Sequence, residues 1–219
     1  MAGLRPAREP AEAVCGVSRV RLFLLALALA APAGCGEKTP TLPRLAAVDT
    51  VVAFGDSLTY GTGATEHESY PAVLAQLIRR PVMRAGVPGE LTAQGLARLP
   101  SVIDAHQPRL VIVCLGGNDL LRKINDAEIK TNLRAIVAAL KERGISVVLV
   151  GVPRPALIAS APEFYGEIAQ EFDIPYEGRV VTRVLYSPDL KSDSIHPNAR
   201  GYREMAEALA ELLRKAGAV

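Results

Sequence analysis

The sequence predicts a three-layer α/β/α sandwich around a central, mostly parallel sheet of about five strands. Short runs such as Thr50–Phe54, Leu110–Leu115 and Ser146–Val150 are apolar and β-branched at nearly every position. That is the pattern of strands buried on both faces of a parallel sheet. Longer stretches between them repeat apolar residues every three or four positions, as helices packed on such a sheet must. The runs also break on glycine and small polar residues, placing three hydrogen-bonding loops at one sheet edge, where ligands gather in open α/β folds.

In chain order, the strand candidates are Thr50–Phe54, Val82–Arg84, Leu110–Leu115, Ser146–Val150 and a weaker one near Ile174–Tyr176. "YPAVLAQLIRR" carries Val73, Leu74, Leu77 and Ile78 on one helical stripe. "LTAQGLARLPSVIDAHQ" repeats Leu91, Gly95, Leu99 and Val102 or Ile103, and Pro100 is expected to kink or break it. "DAEIKTNLRAIVAALKERG" has Asp126 placed to cap its start, a stripe of Ile129, Leu133, Ile136, Val137 and Leu140, and Gly144 as its stop. The last helix, Asn198 to Lys215, carries Met205, Leu209 and Leu212 behind an Asn198 cap. "PRPALIASAPEFYG", with Leu157, Ile158, Phe164 and Tyr165, reads either as the lining of an acyl pocket or as a helix packed on the core.

Ahead of this domain, Arg19 and Arg21 precede "LFLLALALAA", which is too short to span a bilayer, and small residues follow. That layout predicts a signal peptide over residues 1–34, a linker over 35–46 and a domain over 47–219, exported to the periplasm or held at a membrane. Ala33-Gly34-Cys35 resembles a bacterial lipoprotein site, with Cys35 the lipidation candidate, although Pro32 stands where leucine is usual. Ordinary secretion fits as well. Residues 1–34 hold four Arg and two Glu, leaving 21 basic and 21 acidic side chains for the rest. A near-neutral domain without a basic run argues against a nucleic-acid partner. Cys114, within "LVIVCLGG", reads as a small core residue, and the three cysteines allow neither a disulfide framework nor a thiolate metal site. No Gly-x-Gly-x-x-Gly turn follows the first strand, which removes the dinucleotide-binding reading.

The first strand runs into Gly55-Asp56-Ser57. A serine hydroxyl needs a base and an orienting third group before it becomes a nucleophile. Of three histidines, His67 and His106 sit in polar surface contexts, whereas His196 follows Asp193 by three residues in "KSDSIHPNARGY". In a tight turn that spacing lets the carboxylate reach one ring nitrogen while the other faces outward. Taken singly, Gly-Asp-Ser is ordinary turn chemistry and Asp-x-x-His an ordinary loop pair.

Together, "FGDSLTYG", "GVPGE", "LGGNDLLR" and "SDSIHPNARGY" resemble, in order, the sequence blocks of the GDSL or SGNH hydrolase superfamily, most closely its bacterial arylesterase, acyl-CoA thioesterase and lysophospholipase group. The resemblance runs from Val48 to the C-terminus. It implies a flavodoxin-like fold with Ser57 as nucleophile and Asp193 and His196 as acid and base. It also implies an oxyanion hole from the N–H groups of Ser57 and Gly89 and the side-chain amide of Asn118. The expected activity is hydrolysis of aryl or short to medium acyl esters, thioesters or lysophospholipids, without metal or cofactor. Carbohydrate O-acetyl ester hydrolysis and a non-catalytic binding module are the alternatives. Three positions depart from the pattern: Arg84 replaces an asparagine and is expected to face a substrate anion, Glu90 replaces an aspartate, and Ser194 replaces a glycine, where a positive φ would be strained.

Overall fold

The structure, a computed structural model, describes residues 1–3, 38–156 and 159–219. Residues 4–34 of the expected signal peptide, Cys35, Leu157 and Ile158 lie outside the described residues. Five strands form one parallel sheet: β1 (Val51–Gly55), β2 (Val82–Gly86), β3 (Leu110–Cys114), β4 (Ser146–Val150) and β5 (Tyr176–Glu177), in the order β2-β1-β3-β4-β5. This is the flavodoxin-like order, with its topological switch point between β1 and β3.

The helices are α1 (Ser57–Tyr60), α2 (Tyr70–Ile78), α3 (Thr92–His106), α4 (Gly117–Leu121), α5 (Asp126–Glu142), α6 (Glu163–Glu171), α7 (Val180–Leu185) and α8 (Ala199–Lys215). Helix α2 packs on α8 and α7 on α8, while α3 packs on α5 and α5 on α6, giving the two helical layers. The stripes read from the sequence are the buried ones: Val73, Leu74 and Ile78 on α2, Ile129 through Leu140 on α5, Met205, Leu209 and Leu212 on α8. Cys114 is fully buried with its thiol free, and burial holds that thiol well above its usual titration range.

Several expectations are corrected. Strand β2 is an edge strand and only half-buried, whereas β1 and β3 are enclosed on both faces. Helix α3 runs through Pro100. The proline is exposed, so the backbone hydrogen bond it deletes falls on the solvent side. The cap of α5 is Asn125, whose side chain accepts the N–H of Ala127 at 2.8 Å; Asp126 is the next residue and instead pairs with Arg154.

Residues 39–45, within the stretch expected as linker, lie along the body: Leu42 and Leu45 donate backbone hydrogen bonds to Ala216 and Ala218, and Leu45 is buried. This strap sits past the C-terminal end of α8, at the pole opposite the carboxyl ends of the strands.

Candidate active site

Strand β1 ends where β3 comes closest. A Cβ on Gly55 would lie 2.0 Å from the carbonyl oxygen of Cys114, so only glycine fits. The chain then turns on Asp56, which caps α1 by accepting the N–H of Leu58 at 3.0 Å, and Ser57 becomes the first residue of that helix. The strand stops on Gly-Asp-Ser because this sequence lifts a hydroxyl over the sheet edge at the switch point.

The facing loop is tied into a hairpin-like turn by an antiparallel bridge between Lys191 and Pro197 and by the Ser192 N–H bonding the His196 carbonyl. Inside it, Asp193 Oδ1 accepts the backbone N–H groups of Ile195 (2.8 Å) and His196 (2.9 Å), while Oδ2 lies 2.8 Å from His196 Nδ1. His196 Nε2 lies 3.1 Å from Ser57 Oγ. With Nδ1–H donating to the carboxylate, Nε2 is left as an acceptor for the serine proton. Burial pushes the Asp193 carboxyl up, but the hydrogen bond from the His196 ring and the two backbone N–H groups outweigh it and hold the carboxyl below its ordinary range. Ser194 has no positive φ, so the strain expected there is absent. His67 is exposed on a short 3₁₀ turn and His106 ends α3; neither lines the cavity described below.

Gly89 has φ +81°, the left-handed region that favours glycine, and a Cβ there would meet no protein atom within 4 Å. Conformation is therefore the reason for this glycine. Asn118, in the first turn of α4, points its amide nitrogen at the Glu90 carbonyl (3.0 Å) and at Asp56 Oδ2 (3.3 Å). Glu90 is buried, and its carboxylate is gripped by Arg98 Nε and Nη2 at 2.7 and 2.6 Å. Arg98 also stacks 4.4 Å over the Phe54 ring. The glutamate thus anchors the loop that carries Gly89. Arg84 does not face the site: its guanidinium bonds the Tyr60 carbonyl, pairs with Glu66 at 3.1 Å and lies over the Tyr60 ring. A second buried carboxylate, Asp119, accepts from both the N–H and the hydroxyl of Thr92, capping α3 from another element.

Ser57, Gly89, Asn118 and His196 line one cavity of about 540 Å³, with Asp193 behind the imidazole. Its walls are apolar, chiefly Leu121, Val152, Pro153, Leu185, Tyr186 and Ile195, and among the described residues no lysine or arginine lines it. Phe164 and Tyr165 are not among its walls. They are buried on α6, with the Tyr165 hydroxyl donating to the Leu115 carbonyl, so the core-helix reading of that segment holds for them. The cavity walls come instead from residues beside the chemistry: Leu121 ends the Gly-Gly-Asn-Asp helix and Ile195 precedes His196. An apolar residue placed in a polar motif loop was the signal available for both. Among the described residues, no group of three or more His, Cys, Asp or Glu is gathered as a metal site.

A parallel α/β sandwich bearing a hydroxyl, an imidazole and a carboxylate in line at the switch point is the architecture of a serine hydrolase, and this chain is one that acts on ester bonds. It belongs to the GDSL-like lipase/acylhydrolase family, whose profile matches residues 53–204. The chain is 33% identical over 179 residues to thioesterase 1/protease 1/lysophospholipase L1 of Escherichia coli (strain K12), covering 78% of this chain and 86% of that protein. To an arylesterase of Vibrio mimicus it is 27% identical over 180 residues, covering 77% and 90%. The crystal structure of AlinE4, an SGNH-hydrolase family esterase, is 34% identical and matches with a TM-score of 0.61 over 78% of this chain and 98% of that one.

Proposed function

We propose that Ser57 is the nucleophile of an acyl-transfer reaction in which His196 takes the serine proton, Asp193 orients the imidazole and stabilises its charged form, and a tetrahedral oxyanion is held by the N–H groups of Ser57 and Gly89 and the amide of Asn118. The observation that carries this reading is the unbroken line from Asp193 Oδ2 through the imidazole to Ser57 Oγ, at 2.8 and 3.1 Å. Attack on the ester carbon forms an acyl-serine and expels the alcohol or thiol, which takes its proton from His196. Water, deprotonated by the same imidazole, then releases the acid. The apolar cavity, with room for far more than an acetyl group and no cation to hold a phosphate, supports short to medium acyl and aryl esters or thioesters as substrates. The thioesterase, lysophospholipase and arylesterase activities named for the relatives are of the same bond-breaking class. The basic and apolar run from Arg19 to Ala31 supports export, with Cys35 as the site of a lipid anchor.

Purified protein is expected to hydrolyse p-nitrophenyl acetate or butyrate, and Ser57→Ala to abolish that turnover. A fluorophosphonate probe is expected to label Ser57, separating an enzyme from a binding module. Undiminished turnover in the alanine variant would refute the assignment.

A further inference from the structure

Asn118 has two amide hydrogens and, in the free enzyme, two acceptors already waiting for them. One, the Glu90 carbonyl at 3.0 Å, belongs to a loop fixed by the Glu90–Arg98 pair. The other is Asp56 Oδ2 at 3.3 Å. If both bonds persist, the amide has nothing left to give a substrate oxygen. An ionised Asp56, itself buried, would also set a negative charge beside the place where the oxyanion forms. Asp56 is 2% exposed, and it is the one carboxyl of the three buried here whose hydrogen bonds come only from a single backbone N–H and the Asn118 amide. Glu90 has its arginine and Asp119 its threonine.

Resting on the esterase reading above, we propose that Asp56 is a positioning residue for Asn118: in its acid form it releases one amide N–H to the substrate oxyanion, and as a carboxylate it withholds that N–H and opposes the developing charge. Burial, followed by the negative charges of Glu90 and Asp119, pushes the Asp56 carboxyl up to about 7 despite the Leu58 N–H, so the change of form falls within the working range of such an enzyme. The other titratable groups facing it are Cys114 from β3, Tyr70 from α2, Tyr165 from α6 and Tyr202 from α8. Burial holds all four protonated well past neutrality. The His196 ring lies across Ser57, with Nε2 3.1 Å from Ser57 Oγ.

The test is the pH dependence of kcat for p-nitrophenyl butyrate from pH 5.5 to 9. Wild-type kcat should fall at least tenfold between pH 7 and 9, with KM little changed, because the donor acts on the oxyanion and not on the ground-state carbonyl. Asp56→Asn keeps the shape and the acceptor for Leu58 and should lose that alkaline decline. In Asn118→Ala only the direct charge effect of Asp56 is left, so the residual rate should decline much less steeply than the wild type, which gives a readout independent of how well the Asp56 variant folds. An active wild type whose kcat is flat to pH 9, or a decline that survives undiminished in either variant, overturns the proposal. Absence of esterase activity altogether would instead overturn the reading on which it rests.

Discussion

At the scale of single residues, the site is a set of side chains that each have one reason to be there. Asn118 is predicted to be worth more in turnover than in binding. Asn118→Ala should lower kcat by about 10²–10³ with a small change in KM, the usual cost of one oxyanion donor, as steady-state kinetics on a p-nitrophenyl ester will read. The residues of the line from Asp193 to Ser57 were legible through the four ordered motif blocks that resemble one family, since Gly-Asp-Ser and Asp-x-x-His taken singly read as ordinary turn chemistry. What Asp56 does was not legible. Gly-Asp-Ser reads as a turn, and what raises the carboxyl, its burial and then the negative charges of Glu90 and Asp119, comes from packing that only the fold provides. Arg84 misled for a related reason. A charged residue near a motif suggests a ligand, yet its partners, Tyr60 and Glu66, are protein groups only the fold brings near.

At the scale of elements, loops carrying the chemistry are also the caps of the helices around them. Asp119 is the clearest case. Helix α3 follows Leu91, which has no side chain able to cap it, and the Thr92 N–H is satisfied by Asp119 from α4 instead. Asn132 of α5 donates to the Thr92 hydroxyl and extends the network. Asp119→Ala should therefore cost about 1–3 kcal/mol of stability, because it strands buried donors, as urea unfolding will measure. The five strands and the long helices were readable from their apolar patterns, whereas the short α1, α4 and α7 carry too few residues to show a stripe. Boundaries were less so: Asn125 and Asp126 are equally good caps by residue type, and only the φ/ψ of Asn125 decides between them. The half-exposure of β2 could not be read either, because edge position is a property of strand order and not of the strand.

At the scale of the whole molecule, Asp56 makes stability and function pull apart. Its carboxyl titrates near 7 when folded and near its ordinary 3.8 when unfolded, so between those values the native state binds the extra proton. Stability from this group is therefore lost as pH rises through that window, and the full penalty, on the order of 4 kcal/mol, applies above it. Asp56→Asn should relieve it: the gain over wild type is expected to grow by roughly 2–3 kcal/mol between pH 5 and pH 8 in denaturant titrations. A gain that shrinks with rising pH would contradict the buried-carboxyl account. The strap formed by Leu42 and Leu45 has a different, purely geometric consequence. Helix α8 alone, at about 1.5 Å per residue, puts roughly 25 Å between that strap and the loop holding His196. A bead, sensor chip or fusion partner attached upstream of Thr39 would thus grip the enzyme by its base and leave its mouth turned outward to the bulk solution.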